Sequence, residues 1–288
     1  MSAQADKCAM LLSRSSFIEL GARERAHALL DAGSGRELID PFAGIRSPWL
    51  MAQGIVTQAD DGVVAIKGQL QGQPAIVLAI EGAFQGGSLG EVGGAKIAGA
   101  LELAAEDNRK GIPTCAILVL DTGGVRLQEA NLGLAAIAEI HAAIVDLIRY
   151  QPVIGVIAGT VGCFGGMSIA AGLCSYLLVT REARLGLNGP QVIEQEAGIA
   201  EYDSRDRPFI WSLTGGEQRY HTGFADRYLE DDCAEIRKTI CHCLDAGLPI
   251  RPRHTRTHDY LEYLATVDTS LQADSSTARA LFCMENSI

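Results

Sequence analysis

The sequence predicts an α/β protein whose central sheet is largely parallel and covered on both faces, and three features predict it. Apolar runs at 113–120 (PTCAILVL), 152–158 (PVIGVIA) and 175–180 (SYLLVT) read as strands with no solvent-facing side. Segments with helical spacing lie between them, at 89–109, 131–149 and about 165–174. In the second of these, Ile137, Ile140, Ile144 and Leu147 advance by three, four and three residues, a single apolar stripe. Ahead of this alternation, 62–80 (GVVAIKGQLQGQPAIVLAI) reads as an antiparallel hairpin around a polar, Gly-containing turn. Strands separated by helices of this length join through right-handed ββα or βαβ crossovers.

The remaining elements follow in chain order. Residues 14–40 read as a helix and a turn, with Ser16 as cap, Glu19 three residues on, and Asp31-Ala-Gly-Ser-Gly35 as the stop. A loop runs to about residue 60. Beyond 183 come a short strand (Ala183–Leu187), a helix opening at Gly189-Pro190, and a polar loop over 198–208. A helix near 215–222, a strand near 225–229 and a helix over about 231–246 complete the core. The tail from 249 starts basic (Arg251, Arg253, Arg256), turns weakly helical and ends rich in Ser and Thr. The expected organisation is a lead-in over 1–60, a core over 61–248, and a tail over 249–288 packing on the core or on a partner.

Composition excludes several function classes. The 288 residues are 48% hydrophobic and 20% charged, enough for a substantial core, and carry a net charge of −11. A field of that sign disfavours nucleic acid, which needs clustered Lys and Arg. No apolar run is long enough to span a membrane, and the N-terminus lacks the hydrophobic core and cleavage site of a signal peptide, so a cytoplasmic location is expected. Eight cysteines are scattered, at Cys8, Cys115, Cys163, Cys174, Cys233, Cys241, Cys243 and Cys283. None forms a C-x-x-C pair, and no metal site is expected.

Thirty-two glycines concentrate the interest. Three Gly-rich loops each leave a strand and open a helix: loop 1 over 81–94 (EGAFQGGSLGEVGG), loop 2 over 121–129 (DTGGVRLQE) and loop 3 over 159–168 (GTVGCFGGMS). None ends in GK[ST] or forms a clean G-x-G-x-x-G, so nucleotide phosphate is a weak reading. A Gly-Gly at a strand-to-helix junction exposes N–H groups at the positive end of a helix dipole, with no Cβ in the way. Two such loops can form an oxyanion hole, and Gly123, Gly124, Gly165 and Gly166 are the candidate donors. The competing reading is that these glycines are plain helix entries. Ser88 and Glu91, spaced as a capping box, give loop 1 that explanation.

Catalytic side chains are scarce. Four of the six histidines, His27, His141, His221 and His242, fall in expected helices without a partner motif. No G-x-S-x-G elbow occurs, and Cys163 lacks a nucleophile signature beside Phe164. An inventory of this kind fits a site built from backbone donors.

Loop 2 resembles the S-G-G-A-R-x-Q-E segment of acyl-CoA carboxyltransferases, and Phe84, Gly86, Gly87, Ser88, Gly90, Gly94 and Lys96 match their F-x-G-G-S-x-G-x-x-x-G-x-K segment. GLNGPQVIEQ (186–195) is similar to their F-A-G-P-R-V-I-E-Q stretch, with Gln191 in place of Arg; Val125 stands in place of Ala. The order and spacing agree from about residue 16 to 245. Within that superfamily, GTVGCFGGMS and the segment from ARLGLNGPQVIEQEAG through EYDSRDRPFIWSLTGGEQRYHTGFADRYLEDD resemble the β subunits of malonate decarboxylases. A four-cysteine zinc ribbon, as in acetyl-CoA carboxylase β subunits, is absent.

The resemblance implies a crotonase-like (ClpP/crotonase) spiral of stacked ββα units. It implies a γ-type partner subunit and an acyl carrier subunit bearing a coenzyme-A-derived prosthetic group, with nothing bound covalently to this chain. The reaction implied is malonyl-S-carrier to acetyl-S-carrier plus CO₂, with Gly86, Gly87, Val125, Cys163 and Phe164 beside the substrate. Two other readings stay open: a carboxyltransferase β subunit of a biotin-dependent carboxylase, and a silent scaffold that docks a carrier protein. A metal-dependent hydrolase lacks an H-E-x-x-H or comparable cluster. Arg126 and Lys96 are candidate contacts to the arm, set against an Arg126–Glu129 pair and a solvated helix face for Lys96.

Overall fold

The structure, a computed structural model, describes residues 12–57, 60, 62–268, 270 and 274–282. Its frame is a seven-stranded sheet of β1 (Arg36–Leu38), β2 (Val63–Leu70), β3 (Gln73–Ile80), β5 (Cys115–Val119), β7 (Val153–Ile157), β8 (Tyr176–Thr180) and β9 (Arg227–Leu229), side by side in that order. The first two pairings are antiparallel and the rest parallel. The expected hairpin is β2–β3, closing through Gln71 and Gly72, whose φ values are 52° and 76°. Positive φ at both central residues matches the twist of the strands it joins.

Between the long strands the chain repeats one pattern. After β3 it makes β4 (Ser88–Leu89) and then α2 (Glu91–Arg109); after β5, β6 (Gly124–Val125) and α3 (Asn131–Leu147). After β7 a bridge at Cys163 precedes α4 (Gly166–Leu173), and after β8 a bridge at Leu185 precedes α5 (Pro190–Ala197). The short segments line up as a second layer: β4 pairs with β6, Thr122 bridges Cys163, and Cys163 bridges Leu185.

Both faces of the sheet are covered, as the unbroken apolar strands require. Ile76, Leu78, Ala116 and Leu118 point to one side, where Ile97 and Leu101 of α2 and Ile137, Ile140 and Ile144 of α3 close over them. Val77, Ile117, Ile154 and Val156 point to the other, against Ala26 and Leu29 of α1 (Ala22–Leu29) and Ile236 and Ile240 of α8 (Cys233–Asp245). The stripe read from 131–149 is the buried face of α3.

Several sequence expectations shift. Within residues 14–40 the α-helix covers Ala22–Leu29, capped at Gly21 by the Glu24 side chain. Ser16 does accept the Glu19 N–H, but its hydroxyl is also held by Asp231, which fixes the segment to the core instead of extending the helix. Ala183–Leu187 contributes isolated bridges rather than a strand, because its two bridging residues pair with different segments, Arg184 with Gly215 and Leu185 with Cys163. A helix, α6 (Arg207–Thr214), begins inside the expected polar loop, with Asp206 capping the Phe209 N–H and Pro208 in the first turn. It runs into α7 (Gly216–His221). In the tail, α9 (Thr257–Ala265) and α10 (Ser275–Phe282) pack back on the body through Tyr260, which stacks on Phe224 at 5.0 Å between centroids, and Arg279, which donates to Gln218.

The crossing of α2 and α3 sets the spacing of the helical layer. A Cβ added at Gly94 would collide with the Ala136 Cβ, whereas one added at Gly99, on the same helix, meets nothing within 4 Å. Gly94→Val is expected to lower stability by about 1–3 kcal/mol through overpacking. Gly99→Ala is expected to raise it by about 0.5–1 kcal/mol through helix propensity. Urea unfolding of the two variants checks both signs.

Candidate functional site

The three glycine loops meet, and the contact is made by backbone. Gly124 has φ 104° and Gly165 φ 61°, conformations that L side chains rarely adopt. A Cβ at Gly124 would lie 3.0 Å from Phe164 O and 3.3 Å from Gly165 Cα, so loops 2 and 3 touch there with no room for a side chain. Loop 1 arrives from the other side: a Cβ at Gly87 would collide with Asp121 O, while Gly86 faces open space.

Two buried ionic groups hold the loops in register. Asp121, 6% exposed, accepts from Arg25 Nη1 and from the Val161 N–H, each at 3.1 Å. Gly82 and Gly159 make room for its carboxylate, since a Cβ at either would collide with it. One aspartate thus ties α1 and loops 1, 2 and 3 together. Arg126, also 6% exposed, pairs through Nη1 with Glu129 at 2.9 Å and Asp60 at 3.2 Å, and Nη2 donates to Ser88 O at 2.9 Å. Glu129 and Asp60 in turn accept the Glu91 and Gly93 N–H groups at 2.7 and 3.2 Å, placing negative charge at the start of α2.

That arrangement corrects two expectations. The start of α2 is not closed by a Ser88/Glu91 capping box: its cap is Gly90, Ser88 lies in β4, and the Glu91 carboxylate takes the Ser47 hydroxyl. Distant carboxylates do the capping instead. Lys96 is not on a solvated face but 7% exposed, donating to Val63 O. The Arg126–Glu129 pair is present.

The four candidate donors differ. Gly123 N–H already donates to Gly86 O at 2.9 Å and Gly165 N–H to Leu187 O at 2.8 Å, so both spend their hydrogen on the scaffold. Gly124 N–H rests on its neighbour's hydroxyl, Thr122 Oγ1, at 3.0 Å. Gly166 opens α4, where N–H groups lack intrahelical acceptors, and no acceptor for its N–H is found among the described residues. A Cβ at Gly166 would lie 2.8 Å from Ile137, so this glycine also serves close helix packing. The helix-entry reading and the donor reading therefore each claim part of the set.

Of the expected substrate neighbours, Val125 lines a cleft of ≈ 640 Å³ together with Ile55, Val56, Gln85, Ser88 and Leu127. Cys163 and Phe164 do not present side chains there. Cys163 is fully buried in the core, and burial pushes its thiol well above the ordinary range, followed by the neighbouring Cys174 and Asp121. The Phe164 ring, 5% exposed, lies beneath the Arg184 guanidinium. Burial likewise raises Cys115 to about 11 and Cys174 to about 12; no metal-binding cluster occurs among the described residues, and Cys8 and Cys283 lie outside them. His141 Nε2 sits 2.9 Å from Gly166 O, a helix–helix tether.

Sequence reasoning missed Ile55 and Val56, which lie in a segment without periodicity. It also missed the roles of Asp60, Asp121 and Arg25, whose partners are distant in sequence. Arg126→Leu is expected to cost about 3–5 kcal/mol, because Asp60 and Glu129 are left buried and facing each other. Arg126→Lys recovers only part, since a compact ammonium lacks the planar fork by which Nη1 and Nη2 reach the carboxylates and Ser88 O separately. Denaturant midpoints of the two variants give the measurement.

Residues 19–271 match the model of the carboxyl transferase domain family. The chain is 73% identical to a chain in the crystal structure of a Pseudomonas malonate decarboxylase hetero-tetramer in complex with malonate; the match covers 96% of this chain and 100% of that one, with a TM-score of 0.90. A Pseudomonas malonate decarboxylase MdcD-MdcE hetero-dimer matches at 67% identity over 88% of this chain and 98% of that one, with a TM-score of 0.75. The malonyl-S-ACP:biotin-protein carboxyltransferase MADC of Malonomonas rubra is 39% identical over 238 residues, 79% of this chain and 75% of that protein. The chain belongs to the carboxyl transferase domain family and, within it, to the malonate decarboxylase subunits.

Proposed function

We propose that the chain is the β subunit of a malonate decarboxylase and converts malonyl-S-carrier to acetyl-S-carrier and CO₂. The observation that carries this reading is the near-complete match to the malonate decarboxylase chain; all three glycine loops lie within residues 19–271, which match the family model. The strand–short strand–helix pattern supports a crotonase-type spiral of ββα units, and the expected lead-in, core and tail would be parts of that one body.

In this reading the acyl arm lies in the cleft beside Val125 and Ser88, with the thioester carbonyl turned to the start of α4. Gly166 N–H is one donor, and Gly124 N–H becomes the second when the carbonyl oxygen replaces the Thr122 hydroxyl. Breaking the bond between the methylene and the carboxylate sends its electron pair into the thioester, forming an enolate and releasing CO₂. The enolate oxygen carries the new charge, so donors aimed at it hold the transition state more strongly than the ground state. Water then protonates the carbon. The coenzyme-A-derived arm belongs to an acyl carrier subunit.

A γ-type partner would close the open side of the site. Leu127 in loop 2, Leu134 and Ile169 on the helices that follow loops 2 and 3, and Leu187 between β8 and α5 are 81, 53, 49 and 62% exposed, the kind of apolar surface that a second subunit covers. The chain contains no helix long and apolar enough to cross a membrane among its described residues, in keeping with a cytoplasmic complex.

The test removes one N–H and compares the result with a variant that keeps it. In the assembled complex, Gly166→Pro deletes the donor at a position where proline fits a helix, with Ile137→Ala making room. The control, Gly166→Ala with Ile137→Ala, keeps the N–H. The proline variant is expected to lose about 10²–10³ in kcat for CO₂ release relative to the control. Equal rates would remove Gly166 from the chemistry. Turnover that needs a biotin carrier would count against this reading, since biotin-protein carboxyl transfer is the activity named for the Malonomonas rubra relative.

A further inference from the structure

A second cleft, of ≈ 1070 Å³, opens on the far side of Phe164, between loop 3 and the start of α6. Its lining includes four arginines, Arg181, Arg184, Arg205 and Arg207, against one acidic residue, Glu182, on a chain whose net charge is −11. Arg181 pairs with Glu182 and Arg205 with Asp203, both at 3.1 Å and largely in solvent, where such pairs contribute little.

Arg184 and Arg207 are different. Arg184 is clamped: its guanidinium sits 4.6 Å from the Trp211 ring centroid and 5.5 Å from that of Phe164, and Nη2 donates to Thr160 O and Val161 O. Trp211 is itself fixed, donating from Nε1 to Glu182 O at 3.3 Å. No carboxylate pairs with Arg184 or with Arg207 among the described residues. Among those same residues, two buried side-chain polar atoms lack a hydrogen-bond partner, Arg184 Nε and Tyr202 Oη. Both belong to this corner of the molecule. Burial holds the Arg184 guanidinium below its usual range; the charge of Arg207 acts in the same direction, opposed by Asp121.

A rigid, stacked arginine beside a second arginine, neither paired with a carboxylate among the described residues, is an arrangement that an anion stabilises twice: it accepts hydrogen bonds and relieves the repulsion. We propose that this cleft seats a small dianion of the phosphate or dicarboxylate type between Arg184 and Arg207, with Trp211 as its floor. The seat is separate from the glycine loops and does not depend on what they catalyse.

Trp49 and Trp211 are the two tryptophans of the chain, and Trp49 is 59% exposed. In the full chain carrying Trp49→Phe, Trp211 emission therefore reports on the seat alone. Inorganic phosphate and malonate are titrated separately, with sodium chloride holding ionic strength constant. A saturable change that Arg207→Ala weakens about tenfold or more is expected, and Arg184→Gln abolishes it. A response to phosphate alone identifies a phosphate-bearing ligand, and one to malonate alone a dicarboxylate; a response to both supports a dianion seat without further discrimination. The proposal is overturned if neither anion gives a saturable change, or if Arg207→Ala leaves the response intact. Because Arg207 is exposed, that variant decides the matter even where Arg184→Gln fails to fold.

Discussion

Two turns of backbone touch at Gly124 and Gly165, and the candidate site exists only because they can. With left-handed φ at both positions and van der Waals contact between them, neither tolerates a side chain without strain or separation of the loops. The contact brings the start of α4 next to the segment that runs into α3, and so places two potential donors, Gly124 N–H and Gly166 N–H, around one region. Glycine supplies that proximity but no cohesion.

Cohesion comes from buried charge. Asp121 is clasped by Arg25 and the Val161 amide while glycines at 82 and 159 leave it space; Arg126 locks loop 2 to loop 1 and keeps Asp60 and Glu129 ionically satisfied as they cap α2. Buried ion pairs add little net stability compared with apolar packing, yet breaking one is costly. Geometry is what they secure here. Each carboxylate satisfies amides from an element distant in sequence, so the loops cannot drift apart without exposing an unpaired charge. A site made of peptide dipoles needs such a frame, since its donors have no rotamers with which to adjust.

The architecture was legible from the sequence for a definable reason. Period and run length identify buried strands and amphipathic helices, and the stripe of Ile137, Ile140, Ile144 and Leu147 lies where its spacing put it. Boundaries failed where a distant partner overrode local preference. Ser16 looks like a cap but is drawn to Asp231; Ser88 and Glu91 look like a capping box but belong to a strand and to a separate contact with Ser47. At the site, the glycine pairs were visible and their division of labour was not. Whether an N–H is free depends on acceptors such as Gly86 O and Leu187 O, which approach only in the folded chain. Cys163 and Phe164 lie in loop 3 as read, but a bridge to Leu185 turns that segment into the second layer and buries both side chains.

The central claim is that the carbonyl oxygen of the acyl thioester sits between Gly124 and Gly166. A crystal structure of the assembled complex with a non-decarboxylating malonyl-thioester analogue tests it most directly. The account predicts that oxygen at about 2.7–3.1 Å from both nitrogens, with the Thr122 hydroxyl turned away. An acyl group lodged elsewhere, with Thr122 still bonded to the Gly124 N–H, would contradict it.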